Sequence, residues 1–270
     1  MILPLVYTLR MGFYQSDGLS QAVFVGFDNF KKLFHDTYFF AANTRSLKLM
    51  ILAIVFNACL GLATAIILVY FFKDSSQNAF RTIFLLPLVL SITVISQLWL
   101  SIYDAEWGLL NQFLNLIGLG QFQTRWLIEQ ETALVSVAIV GMWQYFGWLT
   151  LLSYAGLKTI PTEYFEAASI DGANFLTTTR KITLPLMSDT IKMILVISTV
   201  GGLFTFPQVY IMTGGGPGTL TQTVMMFIYS QVFSSQHFGY GCAASTLVII
   251  EIIVILLIIF KFTRSEHIEK

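Results

Sequence analysis

The chain has 270 residues, of which 56% are hydrophobic and 11% charged, and its formal net charge at pH 7 is zero. A water-soluble domain carries about a quarter charged residues to hydrate its surface, so much of this surface must face something other than water. The balanced charge gives no basis for nucleic-acid binding or for a polybasic membrane anchor.

Residues 1–9 are apolar, but Pro4 interrupts them and Arg10 follows at once. That stretch is too short to cross a bilayer and reads as the outer end of a first helix whose beginning is missing. Residues 25–48 are polar and aromatic and are expected to lie along the membrane surface. Five runs then reach the length of about 20 apolar residues that a helix needs to cross hydrocarbon: 49–72, 83–103, 132–157, 193–212 and 243–260. Between them, 73–81 is a short polar turn, and 104–131, with Trp107 and Trp126, suits an interfacial loop. Residues 158–185 form a long polar connection, and 213–241 is rich in Gly, Ser and Thr. The expectation is an all-α integral membrane protein, one domain over 1–270, with about six transmembrane helices, the first incomplete.

Orientation follows from the cations. Lys73, Arg81, Lys158, Arg180, Lys181, Lys261, Arg264 and Lys270 fall on one side, which the positive-inside tendency makes cytoplasmic. Arg125, Lys31, Lys32, Arg45 and Lys48 fall on the other and weaken the bias. Cys59 and Cys242 lack any CxxC or Cys/His spacing and read as buried structural thiols. His35, His237 and His267 show no metal-ligand spacing, so no metal site is expected.

The informative stretch is 160–186, IPTEYFEAASIDGANFLTTTRKITLPL. It reads as two short helices with a corner between them. Pro161 and Glu163 suit a first helical turn, and Asp171-Gly172 is a turn signal. Asn174 can cap the second helix, which runs through Thr177–Thr179 to Arg180 and Lys181. Pro185 is expected to force Leu184 out of helical geometry and to separate the hairpin from the next span. Its small-residue face fits either a docking knob or an ordinary amphipathic connector.

Glu166-Ala167-Ala168, then Gly172, then Ile182-x-Leu184-Pro185, with the lead-in Gly156-Leu157-Lys158-x-Ile160-Pro161, resembles the EAA loop of bacterial ABC-importer permeases. Val25-Gly26-Phe27-Asp28-Asn29-Phe30 and Thr213-Gly214-Gly215-Gly216-Pro217-Gly218 are similar to the carbohydrate-type members, in particular the first of two non-identical maltose- or glycerol-phosphate-type permeases. The resemblance implies a type I importer transmembrane domain in the bacterial cell membrane, with 158–185 as a cytoplasmic coupling loop. It implies a second, homologous permease, two ATP-binding cassette ATPases and an extracytoplasmic solute-binding protein as partners. The residues that would couple to the ATPase are Glu163, Tyr164, Glu166, Ala167, Ala168, Asp171, Gly172 and Pro185.

The chain carries no Gly-x-x-x-x-Gly-Lys-Ser/Thr phosphate loop. The expectation is therefore a non-catalytic subunit that binds no cofactor of its own, with ATP and magnesium used by the partner ATPase. A sugar offers hydroxyls to hydrogen-bond and C–H faces to lie on aromatic rings. The richest such cluster is 142–148, with Trp143, Gln144, Tyr145 and Trp148. By resemblance, Gly141, Gln144 and Tyr145 match the sugar-contacting region of the maltose-type permease, and Ser198, Gly201, Gly202 and Thr205 match its partner region on the next span. Helix packing is the competing reading for each aromatic and the favoured one for the two glycines. Gln97 and Gln208 are weaker candidates. Glu251, an acid inside a span, is a functional suspect by default, with an interior hydrogen bond or protonation preferred over ion coupling. An ion-coupled secondary transporter and a membrane-embedded enzyme are the rival readings. The first leaves the EAA-like hairpin without a purpose, and the second lacks a cluster of Asp, His or Cys within the spans.

Overall fold

A computed structural model describes residues 2–263, so His267 and the tail cations Arg264 and Lys270 lie outside the described residues. The chain opens with α1 (Ile2–Met11), a two-stranded ribbon of β1 (Tyr14–Gln15) and β2 (Val23–Phe24), and α2 (Asp28–Phe34). Next, α3 (Thr37–Ile54) passes through a π-helical turn (Val55–Gly61) into α4 (Leu62–Phe71). This is followed by α5 (Asp74–Val89), α6 (Ile92–Ile102), α7 (Leu109–Leu116) and α8 (Ala133–Lys158). The hairpin comprises α9 (Thr162–Ile170), α10 (Phe175–Thr178), a second π turn (Thr179–Thr183) and α11 (Leu184–Leu186). Finally come α12 (Ser188–Leu203), α13 (Pro207–Met212), α14 (Val224–Tyr229) and α15 (Phe238–Phe262).

Among the described residues, four helices are long and apolar enough to cross a membrane, and α5 with α6 makes a fifth if that bent pair is one span. The fold is helical and membrane-embedded, as expected, but two spans differ from their sequence outlines. The first begins at Thr37 and runs 35 residues to Phe71. At 1.5 Å per residue that is about 50 Å, well beyond the roughly 30 Å of hydrocarbon. Neither Gly nor Pro occurs between Thr37 and Lys48, and Asp36 caps the helix by accepting from the N–H groups of Tyr38 (2.8 Å) and Phe39 (3.2 Å). The second half of the segment expected to lie on the surface, residues 37–48, is therefore an extension of the first span.

The second difference is a break. Residues Ala79–Val89 and Ile92–Ile102 meet at 96° rather than forming one straight crossing. Leu90 and Ser91 are extended, and Ser91 accepts from the Val94 N–H at 3.4 Å to start α6. Pro87, inside the last turn of α5, removes a backbone donor just before the bend.

Close backbone approach holds the bundle together. At Gly147 of α8, an added Cβ would overlap the Phe84 carbonyl of α5, and at Gly202 of α12 it would sit 2.4 Å from the Met50 Cα of α3. The end of α1 lies beside the start of α15, where Gly12 faces Ala243 and the Gly239 N–H donates to Ser16 O at 3.2 Å. Cys242 is buried as expected, whereas Cys59 is exposed, because the π turn rotates it out while turning Asn57 and Gly61 inward.

One end of the bundle collects the end of α4, the start of α5, the end of α8 and the whole hairpin. Its core contains Ala65, Ile66, Tyr154, Leu157, Ile160 and Met187. A separate cluster of Ile95, Tyr103, Val137, Val140, Val209 and Met212 packs α6, α8 and α13 together. Inside α15, Glu251 accepts from Asn43 Nδ2 at 3.1 Å, a hydrogen bond of the kind named by one of the two readings preferred for it.

Candidate translocation cavity and coupling hairpin

A cavity of about 620 Å³ opens between α3, the first π turn, α8, α12 and α13. Six of the nine proposed substrate residues line it: Gly141, Tyr145, Ser198, Gly201, Gly202 and Thr205. Trp143, Gln144 and Trp148 do not. Trp143 stacks edge-on against Trp99 at 5.7 Å and, like Trp148, points outward. Gln144 is buried and donates Nε2 to Leu90 O at 3.2 Å, satisfying a carbonyl at the break between α5 and α6.

The two adjacent glycines separate in role. Gly202 is buried against Met50, while a Cβ at Gly201 would meet nothing within 4 Å and would point into open space. Thr205 turns its hydroxyl back on the Gly201 and Gly202 carbonyls, both at 3.0 Å, closing the end of α12. Gln208 at the start of α13 is buried and reaches Gly141, where an added Cβ would lie 3.2 Å from its Nε2.

Sequence reasoning missed Asn57. The π turn carries this buried amide to the cavity, where Nδ2 donates to Ser198 Oγ at 3.2 Å. The legible signal was a lone amide in an otherwise apolar span; the π turn that aims it has no local signature. Asn57 Oδ1 and Gln208 Oε1 are both buried without a hydrogen-bond partner among the described residues.

The hairpin has the expected two-helix form. Gly172 adopts φ +72°, and Asn174 Oδ1 accepts from the Thr177 N–H at 2.9 Å as the cap of α10. Glu163, Tyr164, Glu166, Ala167, Asp171 and Gly172 are exposed, whereas Ala168 is buried. Pro185 behaves differently from expectation: Leu184 is helical (φ −63°, ψ −44°), and the chain breaks only at Met187 (ψ 6°). The π turn just before Pro185 already departs from the regular i−4 ladder, so the missing N–H and the ring are accommodated without a stop.

Tyr70 at the end of α4 supports both arms. Its ring meets Phe165 edge-on at 5.9 Å and Phe175 at 5.1 Å, and its hydroxyl lies 3.2 Å from Thr183 Oγ1. Beside it, Tyr154 donates to Gln77 Oε1 at 2.7 Å, while Arg81 and Lys158 sit over its ring at 4.8 and 5.6 Å. Such cation–π contacts gather positive charge at this end of the bundle.

The family model described as "binding-protein-dependent transport system inner membrane component" matches residues 47–265. The chain belongs to this family. It is 35% identical to a probable ABC transporter permease of Bacillus subtilis, across 97% of this chain and 90% of that protein. It is 33% identical to the diacetylchitobiose uptake permease of Streptomyces coelicolor, across 89% and 71%. A crystal structure of a bacterial ABC transporter that imports the acidic polysaccharide alginate superposes with a TM-score of 0.80 at 23% identity, covering 99% of this chain and 90% of that one; at that identity the likeness shows a shared fold. The chain is thus a multi-pass inner-membrane permease component of an ABC importer.

Proposed function

We propose that this chain is the non-catalytic half-pore of an ATP-driven sugar importer. A second, homologous permease supplies the other half, two ATPases dock on the hairpin from the cytosol, and a solute-binding protein delivers the sugar from outside, facing the loop around Gly214 and Thr223. The observation that carries this reading is the hairpin, whose Glu163–Gly172 face is open while both of its arms rest on Tyr70. Force applied to that face passes into α4, through the first π turn, and reaches Asn57 and its bond to Ser198 at the cavity. A nucleotide-driven push on the hairpin therefore moves groups that line the sugar path, biasing the bundle between two packings. ATP and magnesium act only on the partner subunits.

Cysteine crosslinking tests the docking. Ala167→Cys in the purified complex is expected to form a disulfide with a cysteine placed in the cleft of the co-purifying ATPase, and a tagged chain that brings down no ATPase would refute the assignment. The ion-coupled alternative leaves the hairpin without a purpose, and Glu251 Oε1 already accepts from Asn43.

A further inference from the structure

Resting on the sugar-importer reading, we infer that the transported sugar is electrically neutral and is held in this subunit through O–H donors offered to Asn57 and Gln208. Among the described residues, no Asp, Glu, Lys, Arg or His lines the cavity. Its polar groups are hydroxyls and amides, set among Leu, Val, Ile and Met side chains. A carboxylate or phosphate entering such a lining loses its hydration and finds no countercharge on this subunit.

The orphaned acceptors specify what the guest must bring. Asn57 and Gln208 are only 4% and 8% exposed, both line the cavity, and the oxygens Asn57 Oδ1 and Gln208 Oε1 have no partner among the described residues. Buried acceptors require donors, so a guest that satisfies them must bring O–H or N–H groups. An anionic oxygen cannot donate, so it supplies the missing hydrogen bond to neither of these oxygens. A neutral pyranose donates from several hydroxyls and can lay its C–H face on the ring of Tyr145 or Phe204, both on the lining. Relatives do not decide the point, because their names include both neutral and charged solutes: diacetylchitobiose in one, sn-glycerol-3-phosphate in another.

Gly201→Cys supplies a reporter, since its Cβ enters open space on the lining. In the purified transporter complex, with exposed Cys59 replaced by serine, labelling of this thiol by a methanethiosulfonate reagent is followed at pH 7. The competitors are methyl glycosides and the matching methyl glycuronides of gluco, galacto and manno configuration, which differ only in CH2OH against carboxylate. At least one glycoside should halve the labelling rate at a concentration about ten-fold or more below that needed by its glycuronide. In a Gln208→Leu background that half-protection concentration should rise about five-fold, as for one lost hydrogen bond. Equal or better protection by a glycuronide overturns the inference and leaves a sugar path standing. An unchanged value in Gln208→Leu removes the acceptor role, and protection by no compound of either set defeats the sugar reading of the cavity itself.

Discussion

Gly202→Ala is expected to destabilise the permease while Gly201→Ala, one residue away, leaves it intact. The added Cβ at Gly202 would sit 2.4 Å from the Met50 Cα and 2.8 Å from its amide nitrogen, and backbone cannot step aside as a side chain can. Helices α3 and α12 must separate, at a cost of about 3 kcal/mol for such overpacking. That corresponds to a fall of about 5–10 °C in the midpoint of thermal unfolding in detergent. At Gly201 the same methyl enters open space and replaces a poor helix former by the best one. Its midpoint should stay the same or rise slightly. Equal midpoints for the two variants would contradict the packing described for α12.

The hairpin should show the opposite pattern, with loss of coupling and little loss of stability. Gly172 holds φ at +72°, which proline, fixed near −65°, cannot adopt. Gly172→Pro also deletes the N–H that donates to Ser169 O at 3.1 Å. The corner between α9 and α10 then reopens, and ATP-driven uptake should fall at least about ten-fold, on the order of 1.4 kcal/mol or more of lost coupling. Ala167→Trp leaves the backbone alone and adds bulk to an exposed helical face, so the midpoint should hold while uptake per ATP hydrolysed collapses. Coupling that survived both changes would remove the hairpin from the mechanism.

The membrane class, the positions of the last three long spans and the hairpin with its Gly172 corner and Asn174 cap were legible in the sequence. Each is a local property: hydrophobic length, a residue that tolerates positive φ, a side chain within reach of a nearby N–H. The 96° break at Leu90–Ser91 was not legible, although Pro87 and Ser91 mark the place, because it is completed by an amide from another helix, Gln144. The same long-range bond explains why Gln144, chosen for its sugar-binding chemistry, faces the break and not the cavity. Asn57 was missed for a related reason. A regular helix and a π turn present different faces after the same apolar run, and only packing against α12 selects the one that brings Asn57 to Ser198. Pro185 shows that a strong local rule yields where the preceding turn is already irregular.

The most direct test of the claim that a cytosolic motor works this pathway is sugar accumulation in proteoliposomes containing the complete complex and its receptor. Expected is uptake of the receptor-bound radiolabelled sugar only with ATP and magnesium enclosed on the hairpin side, lost in Ala167→Trp and restored by reversion to alanine. Accumulation driven by an ion gradient with no nucleotide consumed would show that the protein works by another principle.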